Sequence, residues 1–420
     1  MKLRTKEILV FTRDFQVPHE YQDVKSPILT RGVRAFFADP IPGRACGQSA
    51  PNQSDADAGR AVSVTFPRSI LKTTILRGLL ALLAIFALGS NWAQAAVLID
   101  LVDVGNAGNV ADTTGYGAVS YDYSIGKYDV TIGQYTAFLN AVAATDTYGL
   151  YNAAMATDMY VAGIARSGNS GSYTYSIINN SGDSANRPIT YVSWFDAARF
   201  ANWMANGQTT GAQTATTTEK GAYTLNGATS GVGFTKSMIN PNTGGAVNWW
   251  IPGENEWYKA AYYSPALNAG AGGYWLYPTQ SNAAPGNQGV AANQANYVCN
   301  GVFSVTQGSS YIPGQNYLTD VGAFSGSGSF FGTYDQGGDV WQWNDTANGP
   351  LMVRRGGSWY DAASYLQSTG RELLGPTNEY NAIGFRVAGI PEPSTYALLT
   401  LGVALIVVVR RQWGKRRQPI

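Results

Sequence analysis

The sequence predicts a loop-rich α+β domain, with short strands and a few helices, set between two basic ends. Three observations predict it. Apolar residues recur at helical spacing in only a few short windows. The stretches between them, 206–248 and 263–295 above all, are rich in Gly, Asn and Thr and alternate weakly, as ordered loops and short strands do. The chain also carries 11 Trp and 26 Tyr, rings large enough to anchor a fold that lacks long helices. No internal repeat is evident.

Residues 1–67 show no clear apolar periodicity, and no Met falls between Met1 and Met155. They read as a mis-called start or a disordered leader. Arg68, Lys72 and Arg77 then precede the apolar run 78–89 (GLLALLAIFALG), and Ala93-Gln94-Ala95 follows it. A charged region, a short apolar region and small residues in that order form a secretory signal over 68–95, with cleavage expected after Ala95. The run is too short to span a bilayer. Residues 96–117 form an N-terminal extension.

The first helix is expected over 131–143 (TIGQYTAFLNAVA), where Tyr135, Phe138, Leu139 and Val142 share one face and Thr131 can cap. A second is expected over 193–204 (SWFDAARFANWM), capped by Ser193, with Trp194, Ala197, Ala198 and Ala201 on one face. Residues 254–262 supply a short third. Near the C-terminus, Pro391-Glu392-Pro393 precedes the apolar run 396–409 (YALLTLGVALIVVV) and then RRQWGKRRQ. That run is marginal for a ~30 Å hydrocarbon core, so it reads as a thin or tilted anchor.

Composition excludes whole classes of chemistry. The only His is His19, and the only Cys are Cys46 and Cys299. Once a signal is removed, the chain holds no His and one thiol. That excludes Ser-His-Asp and Cys-His catalysis, His-ligated zinc or iron, and any internal disulfide. Residues 96–396 hold 11 Lys and Arg against 20 Asp and Glu, a net charge of −9, while both ends are basic. An acidic middle argues against nucleic acid as a partner, and basic ends beside apolar runs suit a cytoplasmic membrane face.

Five ordered segments resemble the domain of formylglycine-generating enzymes, the sulfatase-modifying factors. They are 125–140 (IGKYDVTIGQYTAFLN), 187–202 (RPITYVSWFDAARFAN), 247–261 (VNWWIPGENEWYKAA), 332–343 (GTYDQGGDVWQW), and 354–360 (RRGGSWY) with 384–387 (GFRV). The resemblance covers 118–388 and implies a fold related to C-type lectins. The tail, 389–420, resembles the PEP-CTERM sorting signal. That likeness implies an exosortase-type membrane enzyme as a partner, transient anchoring, and delivery to the cell envelope or exopolymer.

In formylglycine-generating enzymes two copper-binding cysteines follow the Gly-Gly-Ser; here those positions hold Asp361 and Leu366. Soft thiolates select Cu(I), and neither residue replaces them. The iron-dependent sulfoxide synthases of the same fold need histidines. Neither copper nor iron is therefore expected. The resemblance implies a structural calcium ion instead, its ligands mapping to the Asp335 side chain, the Gly338 and Val340 carbonyls, and Gln342 in place of a Glu. Asn296 and Tyr297 match the start of a second family site. A turn role for Asp335 beside Gly337-Gly338 is the alternative.

Physically, the motifs read as structural. Trp341 and Trp343 should face one side of an extended segment and Gln342 the other. Gly356-Gly357 permits positive φ, and Arg386 suits a buried ion pair. The functional expectation is a non-catalytic envelope module that binds an exopolysaccharide or envelope protein near Ser358, Trp359 and Asp361. The rival is an enzyme working in the same cysteine-free cleft, with Asp361, Glu372 or Glu379 as acid or base.

Overall fold

The computed structural model describes residues 96–390. The leader, the signal and residues 391–420 of the sorting tail, its Pro-Glu-Pro motif, apolar run and basic end, lie outside the described residues. No described helix is long and apolar enough to cross a membrane.

The expected helices form, each with a side-chain device at its start. Helix α1 (Ile132–Val142) opens on a capping box: the Thr131 hydroxyl accepts from Gln134 N, and the Gln134 side chain accepts from Thr131 N at 2.9 Å. Tyr135, Phe138, Leu139 and Val142 are all buried. A one-turn helix, α2 (Ala154–Thr157), has no sequence signal of its own. Helix α3 (Trp194–Ala205) is capped by Ser193, with Asp196 reaching back to the cap. Helix α4 (Glu254–Tyr262) starts at Gly253, whose N–H donates to Glu256 at 2.6 Å.

Helix α3 departs from a simple amphipathic reading, because its polar side is interior too. Arg199 and Asn202 are wholly buried. Arg199 Nε lies 2.7 Å from Glu219, and the Asn202 amide spans Thr218 O, Tyr223 O and Tyr223 N. A buried polar group survives only when its partners are supplied. Here the long loop after α3 wraps back to supply them.

Strands are short. One sheet orders β1 (Leu101–Val104), β2 (Tyr123–Gly126), β12 (Ala388–Gly389) and β5 (Trp249–Trp250), so the two ends of the domain meet in its middle. The second orders β10 (Glu372–Leu374), β9 (Leu351–Arg355), β8 (Trp341–Asn348) and β11 (Ile383–Gly384). Strands β8 and β9 form a hairpin closed by Gly349-Pro350, and Gly349 takes the positive φ of 61° that so tight a turn demands. Two further pairs, β3 (Ile164–Ser167) with β4 (Thr174–Ile177) and β6 (Tyr263–Ser264) with β7 (Gly273–Tyr274), stand apart.

Aromatic rings fill the space between α1, α3 and the first sheet. Phe200 meets Phe138 at 5.3 Å and Phe385 at 5.3 Å, both edge-on, the arrangement ring quadrupoles favour. The second sheet is joined to α4 by charge. Glu254 accepts from Arg355 at 2.7 Å and from Arg371 at 2.8 Å, and Arg355 also donates to the carbonyls of Ser368 and Gly370.

Removing Glu254 leaves the buried Arg355 guanidinium without its counter-charge. Glu254→Ala should therefore cost about 3–5 kcal/mol, as other broken buried pairs do, and Glu254→Gln distinctly less. Urea unfolding of both variants against the native protein measures this.

A second expectation concerns pH. Burial pushes the Asp345 carboxyl up to about 7, with Glu256 adding to the rise and Lys236 and Tyr223 opposing it. The folded state then holds a proton that the unfolded chain gives up near pH 4. Asp345's contribution is thus fully present below about pH 4 and is lost as pH rises through about 7. Unfolding free energy should fall across that interval, by at most about 1.4 kcal/mol per pH unit for this one group. Asp345→Asn should flatten the slope in a pH series of urea melts.

Candidate functional site

The Gly-Gly-Ser segment sits where three chain segments converge. Gly356 and Gly357 adopt φ of 107° and 71°, open to glycine and strained for other residues. A Cβ on Gly356 would stand 2.9 Å from Gln336 O, and one on Gly338 only 2.2 Å from Asn296 O. The backbones are therefore in direct contact. Gly338 N donates to Gly356 O, Trp359 N to Asp339 O, Asp339 N to Asn296 O, and Val298 N to Asp361 O.

This packing turns two of the three expected binding residues inward. Ser358 is 0% exposed, and its hydroxyl donates to Asp361 Oδ2. Trp359 is 1% exposed; its ring stacks on Tyr317 at 5.0 Å and its Nε1 donates to Asn381 O at 3.2 Å. Neither can meet an outside ligand, and the expectation that they line a binding surface is corrected to a supporting role. Asp361 is half-buried. Its Oδ2 also accepts from Trp341 Nε1 at 2.8 Å, and no described residue hydrogen-bonds its Oδ1. Burial raises its carboxyl, while Ser358, Trp341 and Arg354 pull the other way. Leu366 lies wholly inside, packed with Tyr277, Ala295 and Tyr297.

The residues that do face outward are ones the motifs did not single out. Tyr360 is 39% exposed, Tyr365 39% and Tyr380 46%. Among them Arg354 lies with its guanidinium carbon 4.7 Å from the Trp341 ring centroid, a cation–π contact. Its Nε is buried without a hydrogen-bond partner, and it forms no ion pair among the described residues. Its electrostatic neighbours are Tyr360, Glu372, Asp361 and Tyr380. Glu372 faces Arg354 across the β9–β10 register. Glu379 is not part of this group: it accepts from Asn152 at 2.6 Å and neighbours Asp146 and Asp196. Strand alternation separates Arg354 from the buried Arg355, but only the fold says which one faces out.

Two grooves lie elsewhere. One of about 560 Å³ is lined by residues including Tyr128, Asp129 and Asn186, and one of about 370 Å³ by residues including Tyr121, Lys236 and Glu256. Neither includes Ser358, Trp359 or Asp361.

The calcium ligands implied by resemblance can be tested on the Gln342 amide. Its Oε1 accepts from Trp257 Nε1 at 2.6 Å and from Arg386 Nε at 2.7 Å, and its Nε2 donates to Asp335 O at 2.7 Å. Turning the amide over would set its N–H groups against two other donors, so this orientation is the one chemistry allows. The carbonyl oxygen is therefore committed beside a guanidinium. Asp335, at φ 58°, spends Oδ2 on Gly322 N at 2.6 Å. The Asn296 amide donates to Tyr317 O and Asp339 Oδ1, both at 2.9 Å. Gly338 and Val340 are interior, their carbonyls the only ligands the mapping asks of them. Among the described residues no group of three or more His, Cys, Asp or Glu is gathered for a metal ion. In this arrangement the Gln342 oxygen, committed to Trp257 and Arg386, does not fit a calcium ion, which leaves Asp335, Gly338, Val340 and Asn296 without the ligand expected at 342; the Asp335 geometry is that of a turn residue.

A glutamate at 342 would set an oxygen against the Asp335 carbonyl, a repulsion a cation could relieve; the Gln amide relieves it by donating. Chelator and millimolar calcium should therefore leave the melting temperature unchanged. Gln342→Glu should lose about 1–3 kcal/mol in chelator, the cost of an unmade buried hydrogen bond. It should recover part of that with calcium at the millimolar level typical of extracellular sites. Thermal melts of both proteins in the two buffers decide it.

Comparison with known proteins identifies a family. Residues 108–389 match the family described as "Sulfatase-modifying factor enzyme 1-like domain". Among solved structures the chain is similar to CarF (20% identity, 71% of this chain and 100% of that one, TM-score 0.39). It is also similar to the Treponema denticola variable protein 1 (15% identity, 71% and 98%, TM-score 0.40). A third likeness is to PvdO from Pseudomonas aeruginosa (17% identity, 70% and 92%, TM-score 0.33). No curated protein matches. With the family match spanning well over half the chain, and with the loop-rich α+β architecture beside it, this protein belongs to the sulfatase-modifying factor enzyme 1-like family.

Proposed function

We propose that the protein is an exported, envelope- or exopolymer-associated binding module that performs no formylglycine-type chemistry. One observation carries this reading: Ser358 and Trp359 are turned inward with their polar groups bonded, while three tyrosines face out around an arginine that forms no ion pair among the described residues. A chemical site has the opposite arrangement, with reactive groups exposed and oriented towards a reacting atom. Leu366, at one cysteine position, fills apolar space. Asp361, at the other, holds Ser358 and Trp341 in place.

Export rests on the signal-like segment 68–95, and sorting on the order of Pro391–Pro393, apolar run and basic end, with an exosortase-type enzyme as the processing partner. The rival catalytic reading draws support from the raised Asp361 carboxyl. That shift has burial as its first cause, and Glu379, the other raised carboxylate proposed as acid or base, points to different partners.

The binding reading is tested by co-sedimenting purified protein with isolated exopolymer and with envelope fragments. Tyr360→Ala/Tyr380→Ala should retain its melting temperature and bind about ten-fold more weakly, since exposed ring contacts contribute about 0.5–1.5 kcal/mol each. Equal sedimentation of the two proteins would remove this face as the binding surface, and release of soluble fragments from the polymer would establish the enzyme instead.

A further inference from the structure

We infer that the ligand of this face is a neutral, hydroxyl-rich polysaccharide; the inference rests on the binding reading above and narrows its ligand class. The chemistry presented is mixed. Arg354 offers donors only. Among the described residues its terminal nitrogens have no hydrogen-bond partner, and its guanidinium carbon lies 4.7 Å from the centroid of the Trp341 ring. Asp361 Oδ1 and the Glu372 carboxylate are acceptors only. Glu372 forms no ion pair among the described residues although it stands opposite Arg354. A sugar hydroxyl both donates and accepts, so neighbouring hydroxyls on one ring satisfy a carboxylate and a guanidinium together.

Charge removes the other classes. A polyanion would approach two carboxylates on a domain of net charge −9, with one guanidinium to receive it. A cationic polymer would set its charged groups, donors only, beside the donor-only guanidinium of Arg354 and could not accept from it. A neutral chain meets neither cost. Tyr360, Tyr365 and Tyr380 supply flat faces for the C–H sides of sugar rings, and their exposure leaves the surface open to a passing polymer.

The test is affinity electrophoresis of the purified protein through gels containing dextran, hydroxyethyl cellulose or galactomannan, with alginate and polygalacturonate as anionic counterparts. At least one neutral polymer should retard the protein, equally at about 50 mM and about 500 mM salt, because no counterions are released. Arg354→Met, which keeps the packing on Trp341 but removes the donors, should weaken retardation at least five-fold. Tyr380→Ala, at an exposed position, should do the same while melting like the native protein. Retardation only in alginate or polygalacturonate, abolished by salt, would overturn the neutral-ligand inference and leave the binding reading standing. No retardation by any polymer would overturn it as well. Co-sedimentation with envelope fragments that depends on Tyr360 and Tyr380 would then keep the binding reading with a protein partner, and its absence would sink both.

Discussion

The buried guanidinium of Arg386 is the interaction on which the rest of this structure depends. It is 0% exposed, and each of its nitrogens is bonded. Nε donates to Gln342 Oε1 at 2.7 Å, Nη1 to Gly126 O at 2.8 Å, and Nη2 to Tyr334 O at 2.8 Å and Asp129 Oδ1 at 3.1 Å. One planar group thereby joins the end of β2, the turn at Asp335, the β8 motif and the chain between β11 and β12. A domain with strands of two to eight residues and long irregular connections has few regular ladders to fix its segments. Each ordered residue costs about 1–2 kcal/mol of backbone entropy, and a hub with fixed donor directions ties four segments with one side chain. Burial lowers the Arg386 pKa, while Asp129 and Asp335 hold it up. Such a charge is tolerable inside only because its partners are complete.

From that hub the position of the outward face follows. Gln342 is held by Arg386 and Trp257, which fixes the register of β8 and sends Trp341 towards Asp361 and Trp343 towards Val192 O. Trp341 then serves twice, as donor to Asp361 and as the floor beneath Arg354. The backbone contacts at Gly338 and Gly356 allow the 356–361 loop to lie directly on the 338–340 segment, with no layer of side chains between them. Packing so close leaves Ser358 and Trp359 no route to solvent. The next residue, Tyr360, is the first that can turn outward.

Much of this was legible in the sequence, where local rules decide the outcome. Both capped helices and the third short one were readable, because Thr131, Ser193 and the apolar spacing act within a single turn. The positive φ of Gly356-Gly357 and the ion pair of Arg386 followed from residue type. The surface was not legible. Ser358 and Trp359 resemble binding residues by composition, and only tertiary contact shows them closed in. Arg354 and Arg355 are identical in chemistry and adjacent in β9, yet one is locked to Glu254 and the other is left open. The polar side of α3 was equally silent in the sequence: only the loop that returns over Arg199 and Asn202 buries them.

The separation between framework and face explains how this domain can keep its architecture without cysteine chemistry. None of the contacts of Arg386, Gln342 or Glu254 involves a side chain at 361 or 366. Those positions are therefore free to take residues that serve packing. Asp361 satisfies the Ser358 hydroxyl and the Trp341 indole, two donors that would otherwise be left without acceptors at the rim of the core. Leu366 places its Cδ1 where a Cβ on Gly357 would come within 2.8 Å, filling the space that the glycine opens. Both residues hold the loop in place, and under the proposed binding reading a rigid loop presents its outward tyrosines with little entropy left to lose. On that reading, the residues at the family's two cysteine positions, 361 and 366, are the ones that hold the outward face still.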